Sequence, residues 1–386
     1  MNKNIIIWSA SYSPVIGGVQ TVASEMSKYF IKNNWNVEII TNRYPISLPK
    51  LDSVENIRVN RYIFLNNPVN YIKNRRFSLI IGWLFYKPYT ILQLFLRFKR
   101  VRPKMVLLHF PDNQLIEIYL LSILYRFELI TFMHGDEVYR LRGNTGLVKK
   151  YLLMKVLGVS KSISFCSDHL FKEFAKICKK EESLNKAFIM NNGVSNYFLN
   201  YKLNNTKDNF VFSAARFVPA KGIDILFDIA NHRPNLDLQI AGGLNEDLSN
   251  LGIEPSYNQN LKMLGKLNMD EIAQYLSLTL ITIIPSREEP YGIIVAEAIC
   301  CGSPVIASNI GGIPEVIRNA QKNLNDEEKI IFNHFVKLVS PIKERFLEQI
   351  DIIISNYSQI NEYLSIINKV RSNFEWEKRF ESVSLI

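Results

Sequence analysis

Short, almost wholly apolar runs punctuate the first half of the chain: KNIIIWS at 3–9, WNVEIITN at 35–42, MVLLHF at 105–110, ELITFMHG at 128–135, SISFCS at 162–167 and AFIMNNG at 187–193. Continuous runs of this length read as strands buried on both faces. The first ends in the glycine turn SYSPVIGGVQ, and TVASEMSKYFIKNN after it has helical spacing. Strand, glycine turn, helix and strand make a βαβ unit, which implies a parallel sheet. A second series follows: FVFSAAR at 210–216, a helix from Ile223, LDLQIAGG at 236–243, LKMLGK at 261–266, a helix from Asp270, LITIIPS at 280–286, a helix over 293–301 and PVIASN at 304–309. Between the two series lies NNGVSNYFLNYKLNNTKDN (191–209), polar and without period, which reads as a linker. The pattern predicts two doubly wound α/β domains, residues 1–198 and 199–373, facing a cleft. In such sheets ligands bind beyond the carboxyl ends of the strands. Gly17-Gly18, His109, His134-Gly135, Arg216, Gly242-Gly243 and Ser286 fall at those ends.

The helix over 293–301 is apolar on every side except at Glu297. Such a helix belongs in a core, where an unpaired carboxylate is costly. Two readings make Glu297 tolerable: it faces ligand hydroxyls such as those of a ribose, or it pairs with a neighbouring Lys or Arg. Arg216 at a strand end and Lys221-Gly222 at a helix start make a diphosphate cradle on one reading, and exposed loop cations on the other. Gly17 and Gly18 let the backbone approach an anion at a helix start, or simply make a turn. They are not GxGxxG, so no dinucleotide is indicated.

Composition changes this picture in three places. The chain of 386 residues is 47% hydrophobic, enough for two cores. Its four cysteines show neither CxxC spacing nor a disulfide framework, and the histidines form no HxxxH pair, so no structural metal is expected. The start, MNKNIIIWSASYSP, lacks a signal-peptide cleavage pattern, and the expectation is a cytoplasmic protein. Net charge is +10 and uneven: residues 56–111 contain no acid but carry Arg58, Arg61, Lys73, Arg75, Arg76, Lys87, Arg97, Lys99, Arg100, Arg102 and Lys104. FSLIIGWLFY and YTILQLFLRF are interleaved with them. Cations beside bulky apolar residues predict peripheral contact with an anionic membrane surface, Trp83, Leu84 and Phe85 inserting shallowly. A basic solvated face over ordinary core helices is the plainer reading. Nucleic acid fits least, because no nucleic-acid motif accompanies the charge.

Several stretches together resemble the GT-B retaining glycosyltransferases of family 4. The E-x7-E motif stands as Glu289-Pro290-Tyr291-Gly292 through Glu297-Ala298, followed by Gly302-Ser303-Pro304 and Gly311-Gly312-Ile313-Pro314-Glu315. Arg216 to Lys221-Gly222 resembles the family's R-x4-K-G, and GGVQTVASEMSKYF, FMHGDE, NNGV and FEWEKRFESV resemble its other segments. Tyr291 replaces the usual Phe, and Thr279 stands where an Asp is common. The resemblance implies a GT-B fold, two Rossmann-like domains with residues 374–386 crossing back to the first. It implies that Arg216 and Lys221 bind a nucleotide-sugar's diphosphate and that Glu297 holds its ribose. Glu289 and the backbone of Tyr291, Gly292 and Ile293 would meet the transferred sugar and its phosphate. Gly17 and Gly18 would close over the phosphates, and His134 would lie near the reacting end. No metal and no other cofactor is implied.

The activity so implied is transfer of a hexose from a UDP- or GDP-sugar to a lipid-linked or glycan acceptor with retention, in bacterial cell-surface polysaccharide synthesis. A nucleotide-sugar epimerase-like GT-B enzyme and a non-catalytic nucleotide-sugar-binding partner of a glycan assembly complex are the alternatives. The E-x7-E motif argues against the first, and Arg216, Lys221, Glu289 and Glu297 together argue against the second.

Overall fold

A computed structural model describes residues 3–15, 17–65, 68, 77–142, 146–178, 181–253 and 259–384. The chain divides into two compact units, Met1–Asn191 with Glu377–Ile386, and Asn192–Trp376.

Unit 1 is built on a sheet ordered β3-β4-β2-β1-β5-β6-β7-β8. Its strands are β1 (Asn4–Ser9), β2 (Asn36–Asn42), β3 (Leu51–Val54), β4 (Ile57–Tyr62), β5 (Met105–His109), β6 (Glu128–Met133), β7 (Ser162–Phe165) and β8 (Ala187–Ile189). All neighbours pair in parallel except β3 and β4, an antiparallel edge hairpin. Ile5, Ile6, Ile7 and Trp8 of β1 are fully buried, as a central strand covered on both faces requires. The chain runs outward from β1 through β2 to β4, then returns to β5 on the other side. That reversal puts a switch point between β1 and β5, the place where such sheets bind ligands.

Unit 2 carries the sheet β11-β10-β9-β12-β13-β14, wholly parallel among the described residues. Its strands are β9 (Asp208–Ala214), β10 (Asp237–Ala241), β11 (Leu261–Gly265), β12 (Thr279–Ile284), β13 (Val305–Ser308) and β14 (Val336–Val339). Here the order reverses between β9 and β12.

Two sequence expectations shift. The divide falls at 191/192 and 376/377 instead of 198/199 and 373/374. The segment read as a linker is not a free spacer: it holds the short helix Asn196–Leu199, and Val194, Phe198 and Leu199 are buried in unit 2. Val194 N donates to Phe374 O at 2.9 Å, and Gly193 leaves room for the Trp376 ring, where a Cβ would stand 2.7 Å away. The polar letters hid three anchoring apolar ones. The terminal helix Trp376–Ser384 ends the chain on unit 1, with Phe380 fully buried 5.4 Å from the Tyr29 ring and Lys32 paired with Glu377.

Strands β3, β4 and β14 carry no apolar run and were not visible in the pattern. In β4, Asn60 and Arg61 are buried with their donor nitrogens bonded to neighbouring groups. Asn60 donates to Ile39 O at 3.2 Å, and Arg61 reaches Asp52 and Ser13 O, each at 2.7 Å.

The crossover from β4 to β5 contains the helix Phe77–Val101, long and apolar enough by length and composition to cross a membrane. Its polarity is reversed. The inward side holds Lys87, Thr90, Leu94, Arg97, Phe98 and Val101. Lys87 pairs with Glu117 at 2.6 Å, and Arg97 forks onto Glu38 at 2.8 and 2.5 Å. Outward, Phe77, Ile81, Leu84, Phe85, Tyr89, Leu92 and Leu96 are exposed, a stripe at helical spacing. Ion pairs to two other elements hold the helix against unit 1 along its second half.

Candidate functional site

In unit 2 the site residues gather on loops at the carboxyl ends of β9, β12 and β13, around the switch point. Arg216 follows β9. Its side chain is exposed and has no partner among the described residues. The chain then makes a short turn, Pro219–Lys221, and enters the helix Ile223–His232. This turn is tied to the loop after β12: Arg287 N and Glu288 N both donate to Ala220 O, at 2.7 and 3.0 Å. Arg287 also forks onto Asp224 at 2.6 and 2.5 Å, bracing the same junction.

Lys221 Nζ donates to Glu289 Oε2 at 2.5 Å, and Ser286 Oγ lies 3.4 Å from the same oxygen. The two side chains are mostly buried, 16% and 12% exposed, so their charges are held together and weakly screened. The family resemblance assigns them to different groups of a ligand; the fold makes them one charged pair.

Glu289 is followed by a tight entry into the helix Ile293–Cys300. Gly292 caps it at φ 103, a left-handed conformation that suits glycine. The β13 loop closes on the same turn, where Gly312 N donates to Glu289 O at 2.9 Å. At Gly311 (φ 58) a Cβ would stand 2.0 Å from Glu289 O, so only glycine fits. Tyr291 is buried with its hydroxyl accepting from Asn319 Nδ2 at 3.3 Å, which gives the extra oxygen of this Tyr a partner. The helix start has no side-chain cap and no acid in its first turn. Its first N–H groups, from Ile293 onward, therefore suit an anion.

Glu297 lies one turn further in, half-buried, and its side chain makes no hydrogen bond or ion pair with any described residue. Burial pushes its carboxyl up to about 7, with no opposing charge. The alternative of a Lys or Arg partner for Glu297 is thus not met. Thr279 is fully buried in the sheet, its hydroxyl 2.9 Å from Phe210 O and 3.0 Å from Ile281 O, and takes no part in the site.

In unit 1, Gly17 precedes the helix Gly18–Lys32, which starts without a side-chain cap or first-turn acid. His134 follows β6. Its Nε2 lies 3.1 Å from Nδ1 of His109, the last residue of β5. Burial lowers both rings, His134 to about 4. Glu137 holds the turn: its carboxylate accepts from the backbone N–H of His134 and, at 3.1 Å, of Gly135. Burial raises it to about 7 against those hydrogen bonds. Glu137 was quoted in FMHGDE but not singled out; an acid just after a strand-end glycine was the available signal.

The basic segment 56–111 needs correction. Arg61, Lys87 and Arg97 are buried in ion pairs and cannot meet a membrane. Lys73, Arg75 and Arg76 lie outside the described residues. Arg58, Lys99, Arg100, Arg102 and Lys104 are exposed. Trp83 is half-buried, while Leu84 and Phe85 are exposed.

Residues 199–358 match the family model described as glycosyl transferases group 1. An uncharacterized glycosyltransferase of Methanocaldococcus jannaschii is 27% identical over 252 residues, 64% of this chain and 65% of that protein. The match thus spans a little under two thirds of that relative's length. A D-inositol 3-phosphate glycosyltransferase of Mycolicibacterium vanbaalenii is 28% identical over 120 residues, 27% of each chain. Among solved structures, sucrose-phosphate synthase of Thermosynechococcus elongatus has a TM-score of 0.74 at 18% identity, covering 99% of this chain and 98% of that one. Anabaena HepE in complex with UDP-glucose has a TM-score of 0.69 at 15% identity, covering 99% and 100%. At these identities the likeness speaks for the fold, which is GT-B. The comparisons thus give a match to the glycosyl transferases group 1 model over residues 199–358 and a GT-B fold for the chain.

Proposed function

We propose that the chain is a family 4 retaining hexosyltransferase. It moves a hexose from a UDP- or GDP-sugar to a lipid-linked or glycan acceptor, in the synthesis of bacterial cell-surface polysaccharide. The observation that carries this reading is Glu297, a half-buried carboxylate with no partner among the described residues, on the helix entered through the Lys221–Glu289 pair. A ribose supplies two hydroxyl donors to such a group. The solved complexes of Anabaena HepE with UDP and with UDP-glucose are in keeping with a uridine-linked donor.

The chemistry follows from glycosyl transfer. The anomeric carbon passes through an oxocarbenium-like state while the leaving diphosphate gains charge. Arg216, unpaired, and Lys221 stabilise that charge more in the transition state than in the ground state. The backbone N–H groups at Tyr291, Gly292 and Ile293 take the remaining phosphate oxygens. Glu289, already bonded to Lys221, orients the cation and accepts from a sugar hydroxyl. Retention then proceeds by front-side attack, the leaving phosphate taking the acceptor's proton. Gly17 and Gly18 meet the phosphates and His134 the transferred sugar. No metal or other cofactor has a step in this scheme, so transfer should survive EDTA.

The protein is proposed to work in the cytoplasm, peripheral on the inner face of the membrane. The outward apolar stripe of Phe77–Val101 supports this, flanked by exposed Lys99, Arg100, Arg102 and Lys104 in a segment without acids. Its buried pairs with Glu117 and Glu38 favour a helix lying on the surface over one spanning it.

The test is turnover of a panel of nucleotide-sugars with and without a lipid-linked acceptor, the anomeric configuration of the product read by NMR. Acceptor-dependent transfer with retention is expected. Epimerised donor without acceptor, or binding without any turnover, would replace the proposal by one of its two rivals.

A further inference from the structure

We propose that His109 is a positioning residue: it fixes the tautomer of His134 so that the Nδ1–H of His134 is presented as a hydrogen-bond donor to ligand. This rests on the reading of His134 as a group that meets the transferred sugar.

His109 and Phe132 are register partners on β5 and β6, and their rings stack at 4.5 Å and 3°. His109 is fully buried, so its ring cannot turn to water. Its Nδ1 lies 3.1 Å from His134 Nε2, and one proton occupies that gap. Its Nε2 is buried without a partner among the described residues. Two neutral arrangements are open. If His134 Nε2 donates to His109 Nδ1, then His109 carries its own proton on Nε2, as an orphaned buried N–H. If His109 Nδ1 donates to His134 Nε2, the orphan is a bare acceptor. Orphaned donors are the rarer case in protein interiors. The second arrangement is therefore favoured, and it leaves the proton of His134 on Nδ1. That nitrogen makes no hydrogen bond to any described residue.

The surroundings hold this arrangement still. The backbone N–H groups of His134 and Gly135 are bound by Glu137, and Cys166 Sγ lies 3.7 Å from His134 O. Main chain and ring are thus both fixed before a ligand arrives, which is what preorganised donors require.

The ligand-free protein, labelled with 15N-histidine, is examined by long-range 1H–15N NMR at neutral pH. The His134 ring is assigned by its absence in His134→Gln. A protonated Nδ1 and a bare Nε2 are expected. His109→Asn places an amide N–H where Nδ1 stood and should keep this tautomer, with transfer within about threefold of the parent. His109→Leu removes the donor: His134 should shift towards its Nε2–H form, and kcat should fall about tenfold with a smaller change in KM for the donor. A protonated Nε2 in the parent overturns the proposal, and this readout stands even if His109→Leu does not fold. Unchanged tautomer and kcat in His109→Leu overturn it as well. The predicted tautomer together with full activity of His134→Gln would instead overturn the role given to His134, leaving the ring pair as assigned.

Discussion

Glu297 shows how much a single position can say. Its loneliness on an apolar helix is legible in the letters; that no described residue answers it is not, because any Lys or Arg brought near by folding could have. Its carboxyl, raised from 4.5 to about 7 by burial, binds a proton more tightly in the folded chain than in the unfolded one. The neutral form therefore stabilises the fold fully below about pH 4.5, and that contribution is lost as pH rises through 7. Glu297→Gln lacks the titration. Melting curves without ligand should agree with the parent at pH 4.5, and at pH 8 the variant should melt about 2–4 °C higher, as about 1 kcal/mol gives in a domain of this size. Donor affinity should fall in the same variant. A lower melting temperature at pH 8 would mean that the carboxylate has a partner in the fold. For the cations the fold alters the expectation. Spacing alone placed Arg216 and Lys221 alike, as cations removable without harm to folding. The pair with Glu289, formed across 68 residues, separates them. Each change to Ala should slow transfer by about 2.7–4 kcal/mol in the transition state. Lys221→Ala should also lose about 1.5–3 kcal/mol of stability, because the buried Glu289 carboxyl loses the hydrogen bond from Lys221. Denaturant titration separates the two effects, and equal stability of both variants would argue against the pair.

At the scale of the element, the helix Phe77–Val101 shows where periodicity stops informing. The segment displays cations and apolar residues, and reading it from sequence put the cations outside. Glu38 on β2 and Glu117 on the helix Leu115–Leu124 reverse that, drawing Arg97 and Lys87 inward and turning Phe85, Leu92 and Leu96 out. The consequence is a change in the expected salt response. Lys99, Arg100 and Arg102 changed to Gln should weaken binding to anionic vesicles at low salt, about 1 kcal/mol for each cation near the surface, with little effect at high salt. Phe85, Leu92 and Leu96 changed to Ser should remove the salt-resistant part. Sedimentation with vesicles measures both, and a triple Ser variant that binds like the parent at high salt would dispose of the stripe as a contact. Arg97→Gln belongs to another class, since it unpairs Glu38 and should lower stability while leaving vesicle binding intact in the folded fraction. Edge strand β4 makes the same point: its buried Asn60 and Arg61 look like loop residues until the neighbouring backbone accepts their hydrogen bonds.

For the molecule as a whole, the donor site predicts a ligand response. A nucleotide-sugar at a hundred times its dissociation constant should add about 2.7 kcal/mol to the unit that binds it. A thermal-shift panel of UDP- and GDP-sugars should therefore single out one nucleotide, and a flat panel would count against the donor assignment. The order of the apolar-run strands and the helices between them, the glycine turns at their ends and the E-x7-E stretch were determined by the sequence itself. Buried parallel strands must be continuous apolar runs, and a left-handed helix entry such as Gly292 favours a glycine. Those are local demands, and local demands leave local marks. Which polar side chains meet was decided only by the tertiary structure. Lys221 with Glu289, Arg97 with Glu38 and His109 with His134 each join different elements, at distances set by sheet order and register. No spacing along the chain encodes those, and the same holds for Glu297, whose lack of a partner is a property of everything packed around it.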